Sequence, residues 1–154
     1  MIRVQREDFD LGAELDRLVA DDHTIGGLAS FVGLVRDMGG RGNSADRVSA
    51  LTLEHYPGMT EKKLAEIEAE ANRRWPLSAS LVIHRYGRLE PGDRIVLVAT
   101  ASPHREAALA ACHFLIDWLK TDAPFWKSEE TPAGERWVAA RAEDDAATRR
   151  WRGE

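Results

Sequence analysis

ASLVIHRYGRLEPGDRIVLVATASPHREAALAACHFLIDWLK, residues 79–120, contains two apolar runs, a turn and a long helical stretch in unbroken succession. ASLVIHRYG (79–87) and RIVLVATA (94–101) are rich in β-branched residues and read as strands. Glu90-Pro-Gly-Asp93 between them is a strong turn signal, so the spacing predicts an antiparallel hairpin. Ser102 suits an N-cap and Pro103 a first helical position. The spacing predicts a helix from there to about Leu119, and Pro124 prevents its extension.

The flanking sequence extends this pattern. Leu11, Leu15, Leu18 and Val19 fall on one face of a short helix over 11–20, which Asp8 or Asp10 caps. GLASFVGLV (27–35) reads as a strand, and RDMGGRGNSADR (36–47) as a mobile glycine-rich loop. VSALTLEHY (48–56) reads as a strand ending at Pro57-Gly58. Thr60 then opens a helix with Leu64, Ile67, Ala71 and Trp75 on one stripe, stopped by Pro76. ERWVAAR (135–141) reads as a last strand, and 142–154 as a polar C-terminal tail containing Trp151. There is no internal repeat or linker. Strands and helices in mixed order point to the α+β class, in a single domain over 1–154.

Composition narrows the function classes. A chain of 154 residues hides about 70% of its unfolded surface, enough for one sizeable core. With 44% hydrophobic and 31% charged residues, disorder is not expected. No apolar run approaches the roughly 20 residues that span a bilayer, and MIRVQREDFD does not read as a signal peptide. One cysteine excludes an internal disulfide framework and fits a reducing cytosol, so a cytoplasmic protein is expected. The net charge of −5 argues against a broad nucleic-acid face. Residues 1–22 alone carry −4 of it, which leaves room for a local basic pocket in the rest.

Three segments bear chemistry. His104 and Arg105 fall where a helix N-terminus already carries partial positive charge, and together with free backbone N–H groups they make an anion site. Lys120 ends the long helix, a position lysine favours anyway. Lys127 follows Pro124, Phe125 and Trp126, and an ammonium that loses hydration there is primed to move protons or act as a nucleophile. Arg36, Arg41 and Arg47 border or lie in the glycine-rich loop, which lacks the Gly-Lys-Ser/Thr ending of a Walker loop. Each feature also has a plain reading as solvated surface. Cys112 reads as a buried small hydrophobe, Glu129-Glu130 as a solvated face, and His23, His55, His84 and His113 lack metal-ligand spacing.

The run Leu51-Thr-Leu-Glu-His-Tyr-Pro-Gly-Met-Thr60 closely resembles the large, catalytic subunits of molybdopterin synthase. So do Arg74-Trp-Pro-Leu77, Val82-Ile-His-Arg85, Glu90-Pro-Gly-Asp93, Ser102-Pro-His-Arg105, Asp117-Trp-Leu-Lys120, Ala123-Pro-Phe-Trp-Lys127 and Glu135-Arg-Trp-Val138. The resemblance spans roughly residues 25–151. It implies an α/β-hammerhead type of α+β fold, with antiparallel sheet and packed helices. It also implies a homodimer carrying two small ubiquitin-like sulfur-carrier subunits, a heterotetramer in all. The carrier's C-terminal thiocarboxylate would deliver sulfur to cyclic pyranopterin monophosphate (precursor Z), forming the molybdopterin dithiolene. No metal or resident cofactor is implied.

The same resemblance assigns a pocket to Leu34, Val35, Arg36, His104, Arg105, Lys120, Lys127, Ser128 and Glu129. Arg36, His104 and Arg105 would hold phosphate or pterin, Lys120 would serve as general acid/base, and Lys127 would stabilise negative charge or aid proton transfer. Arg141 matches an arginine that reaches the pocket from the neighbouring subunit. Three positions depart from the family pattern: Leu34 where some members have lysine, Ser128 where a base is common, and Pro103 where alanine is usual. The competing reading is a non-catalytic module that binds a phosphopterin or scaffolds the carrier. Neither reading calls for nucleic acid or a membrane.

Overall fold

The structure, a computed structural model, describes residues 1–37, 47–139 and 142–152. In chain order the elements are β1 (Ile2–Gln5), α1 (Leu11–Val19), β2 (Gly27–Leu34), β3 (Ala50–His55), α2 (Met59–Arg74), β4 (Ala79–Arg85), β5 (Gly87–Leu89), β6 (Arg94–Ser102), α3 (Arg105–Thr121), β7 (Phe125–Thr131), β8 (Gly134–Val138) and α4 (Ala142–Arg152). The strands form two four-stranded sheets, ordered β1-β4-β6-β2 and β5-β3-β7-β8. The α+β class with antiparallel sheets and packed helices is as expected, with one parallel pair, β1 on β4.

The first sheet is buried on both faces, which is why its two central strands read as continuous apolar runs rather than alternating ones. Val82 and Val98 face α2 and α3, meeting Leu64, Ile67, Phe114 and Leu115. Leu81, Ile83, Leu97 and Ala99 face the other way, meeting Phe9 and the stripe of α1, Leu11, Leu15 and Leu18. Asp10 caps α1 by accepting from Ala13 N–H at 2.9 Å.

The expected hairpin needs correction. β4 and β6 do pair antiparallel, from Ala79 opposite Ala101 to His84 opposite Val96. Between them, however, the chain leaves the sheet at Gly87, whose φ of 93° only glycine adopts freely. It forms β5 against β3 of the second sheet before turning back at Glu90–Asp93. That turn closes through Asp93 N–H to the Glu90 carbonyl at 2.9 Å. The crossing welds the two sheets along a seam floored by Val35, Leu51, Leu53, Leu89 and Ile95.

Further corrections concern termini and polar segments. The long helix begins at Arg105 with His104 as its cap residue, not at Ser102-Pro103. Ser102 stays in β6, pairs with Gly27, and donates its hydroxyl to the Pro76 carbonyl at 2.9 Å. Residues 142–152, read as a tail, form α4, which docks on α3 through Trp151. β1 and β7 were not foreseen. Most of the glycine-rich loop, 38–46, lies outside the described residues.

Candidate functional site

The end of β2 and the middle of β7 build the site. The β2–β6 register slips between Gly33 and Leu34, and the chain then locks onto the turn before β6. Val35 N–H donates to the Asp93 carbonyl, and Gly92 N–H donates to the Val35 carbonyl, both at 2.9 Å. This reciprocal pair buries Val35 and leaves Leu34 and Arg36 exposed on either side. Across the seam, Lys127 pairs with Leu53 of β3 and Val138 of β8. A recess of about 50 Å³ lies between these parts, lined by Leu34, Val35, Arg36, Lys127 and Glu129 over an apolar floor.

Alternation along β7 decides which neighbours share that recess, because successive side chains point to opposite faces of a strand. Lys127 and Glu129 share the recess side. Ser128 lies on the opposite face, buried, with its hydroxyl 3.4 Å from Glu135 Oε1. Ser128 therefore does not line this recess. Glu129 is not solvated surface either: its side chain is 13% exposed and meets Arg136 Nε and Nη2 at 3.0 Å. That carboxylate is paired with Arg136, and Arg36 and Lys127 both line the recess.

Lys120 is exposed on the last turn of α3 and does not line the recess, although that turn ends at the same edge of the first sheet. The strand β6 runs away from this edge and α3 returns to it, so the helix brings Lys120 back toward the start of β7.

His104 and Arg105 lie elsewhere. They are exposed at the opposite end of α3, about 25 Å away by the 1.5 Å rise of a 17-residue helix. The strand register agrees: Gly27 is opposite Ser102, whereas Leu34 is opposite Arg94. Seven strand steps separate these ends, again about 24 Å. One chain thus divides the expected site into two groups. Arg141, the remaining expected residue, lies outside the described residues.

A feature that sequence reading missed shapes the second group. A Cβ on Gly26 would come within 2.2 Å of the Pro103 carbonyl oxygen, and one on Gly27 within 3.2 Å of Arg105 Cα. The Gly26-Gly27 pair is the signal: it lets the start of α3 rest directly on the start of β2. Cys112 was correctly set aside as a buried small hydrophobe. Cys112 is buried in α3, and burial raises its thiol to a pKa of about 11, so it offers no thiolate. Among the described residues, no group of His, Cys, Asp and Glu is arranged to hold a metal ion. No described helix is long and apolar enough to cross a membrane.

Two welded four-stranded sheets, with an arginine and a lysine lining a recess at their seam, define an α+β protein with a candidate anion site. The chain belongs to the MoaE protein family, which matches residues 4–122. It is 57% identical over 150 residues to the molybdopterin synthase catalytic subunit of Ralstonia nicotianae, covering 97% of this chain and 83% of that one. The molybdopterin biosynthesis MoaE protein from Burkholderia ambifaria MC40-6 superposes with a TM-score of 0.84 at 56% identity, covering 100% and 99% of the two chains. The crystal structure of molybdopterin synthase from Staphylococcus aureus gives a TM-score of 0.80 at 31% identity, over 89% and 96%.

Proposed function

We propose that this chain is the catalytic subunit of a molybdopterin synthase, an enzyme of molybdenum-cofactor biosynthesis. It transfers sulfur from the C-terminal thiocarboxylate of a small ubiquitin-like carrier to cyclic pyranopterin monophosphate, giving the dithiolene. The observation that carries this reading is the convergence of Arg36 and Lys127 on one recess, in a chain 57% identical to a protein of that name. Arg36 binds the phosphate or pterin. Lys127 stabilises charge that develops as sulfur adds, and Lys120 is the general acid/base at the carrier tail. The buried, protonated Cys112 is no obstacle, because the sulfur arrives on the partner. No resident cofactor is proposed, and the cytosol is the proposed compartment.

The geometry also supports the homodimer, and with two carriers the heterotetramer. A recess of about 50 Å³ is far below the roughly 300 Å³ at which small-molecule pockets begin. β2 is an edge strand with Leu28, Phe31 and Leu34 each 39–52% exposed. A second copy laid antiparallel along that edge about a two-fold axis covers those side chains. The same operation carries the partner's His104 and Arg105 end to this chain's Leu34–Arg36 end. Both halves of the expected anion site then meet.

Reconstitution with precursor Z and thiocarboxylated carrier tests the reading. Wild type makes molybdopterin, and Lys120→Ala lowers the rate at least about 100-fold, the scale of general acid/base catalysis. Ligand binding without product in a single turnover, using authentic carrier, would favour the binding-module alternative. A stable monomer by sedimentation would remove the shared site.

A further inference from the structure

The six residues between Lys120 and Lys127 are held by groups that carry none of the proposed chemistry. Asp122 ends α3 and meets Lys63 Nζ of α2 at 3.4 Å. The Pro124 carbonyl accepts from Thr60 Oγ1 at 3.2 Å, and that fully buried hydroxyl oxygen in turn accepts from Tyr56 N–H at 3.0 Å. Phe125 lies face to face on His84, with ring centroids 3.7 Å apart and planes 16° from parallel. His84 belongs to the first sheet and Phe125 to the second, so the stack spans the seam.

His84 is an unusual choice for such a position. It is buried near the end of β4, between Val4 and Val96 in register, and its Nδ1 lies 2.9 Å from the Arg85 carbonyl. A carbonyl oxygen only accepts, so that contact makes Nδ1–H the donor, and the ring meets Phe125 through the stack. Phe125 and Lys127 point to the same side of β7, two residues apart. Wherever the His84 ring sets Phe125, Lys127 follows.

We propose that His84 and Phe125 are a positioning pair, which fixes Lys127 relative to Lys120 and Arg36 across the seam between the sheets and thereby governs turnover rather than substrate binding. This rests on the sulfur-transfer reading above. Neither ring touches the recess, so both act through the strand they hold. Displacing a reacting group by about 1 Å costs on the order of 100-fold in rate. Loss of the stack should therefore appear in kcat.

The test is steady-state kinetics of the reconstituted synthase with wild type, Phe125→Met and Phe125→Tyr. Phe125→Met keeps an apolar side chain of similar reach but removes the ring, and Phe125→Tyr keeps the ring. Phe125→Met is expected to lower kcat about 30-fold or more, with KM for pterin and carrier within about twofold, while Phe125→Tyr stays within about threefold of wild type. Should Phe125→Met not fold, His84→Phe serves in the same assay: it keeps the stack without the Nδ1–H bond and is expected to retain at least about a third of wild-type kcat. Positioning is overturned if Phe125→Met keeps wild-type kcat, if KM rises in step with the loss, or if His84→Phe loses turnover as Phe125→Met is expected to. Wild type making no product would instead overturn the sulfur-transfer reading, so the two failures are separable.

Discussion

Replacing Trp151 by Phe tests whether α4 is a docked element and not a tail. Trp151 Nε1–H donates to Asp117 Oδ2 at 2.7 Å, and its ring sits edge-on to Phe114 at 5.5 Å and Trp75 at 5.8 Å. Asp117 is 8% exposed, so its carboxylate has little water to fall back on. A hydrogen bond to a charged group contributes about 1.5–3 kcal/mol. His113 Nε2 at 3.5 Å and Arg150 Nε at 3.8 Å remain near the carboxylate, which places the loss at about 1.5 kcal/mol. The smaller ring adds about 1 kcal/mol through the space it leaves. Together these lower Tm by about 5–10 °C at fixed protein concentration. A double-mutant cycle with Asp117→Ala, which removes the acceptor, isolates the bond when read by urea unfolding. A coupling of about 1.5 kcal/mol is expected, and one below about 0.5 kcal/mol refutes the docking account.

Two further outcomes follow from buried groups. Burial lowers the His84 pKa from 6.5 to about 4, with a smaller push from His55. Between those values the unfolded chain binds a proton that the folded chain refuses, so stability falls as pH drops from 7 toward 4, by about 3 kcal/mol in all. His84→Phe should flatten urea-derived stability against pH over that window; parallel curves for the two proteins would contradict it. Gly26→Ala forces a Cβ against the Pro103 carbonyl oxygen, backbone against backbone, and should cost about 1–3 kcal/mol in thermal or urea unfolding. An unchanged Tm would show that the start of α3 does not rest on β2 as described.

Much of the architecture was legible because burial writes itself into composition. The doubly buried β4 and β6 are apolar throughout, α1 shows its stripe of Leu11, Leu15 and Leu18, and the Glu90–Asp93 turn carries its own chemistry. β7 was invisible for the opposite reason. Phe125–Thr131 is mostly polar and follows a proline, and it is a strand because β3 and β8 supply partners for its backbone on both sides. α4 is mostly polar in sequence, and a tryptophan bound to a buried carboxylate is among the contacts that hold it. The hairpin was half legible: pairing was foreseen, but Gly87 diverting the chain into a second sheet was not.

By itself, the sequence determined the fold class, the family through its ordered motifs, and the residue types that an anionic ligand requires. These are properties of local pattern, and they survive without knowing which segments touch. Grouping of the site was decided by tertiary structure alone. Strand alternation turned Ser128 away from Lys127, and the register of β2 on β6 set Arg36 and His104–Arg105 at opposite ends of one strand. Proximity across a sheet depends on register and chain direction, and a one-residue step in either changes every neighbour.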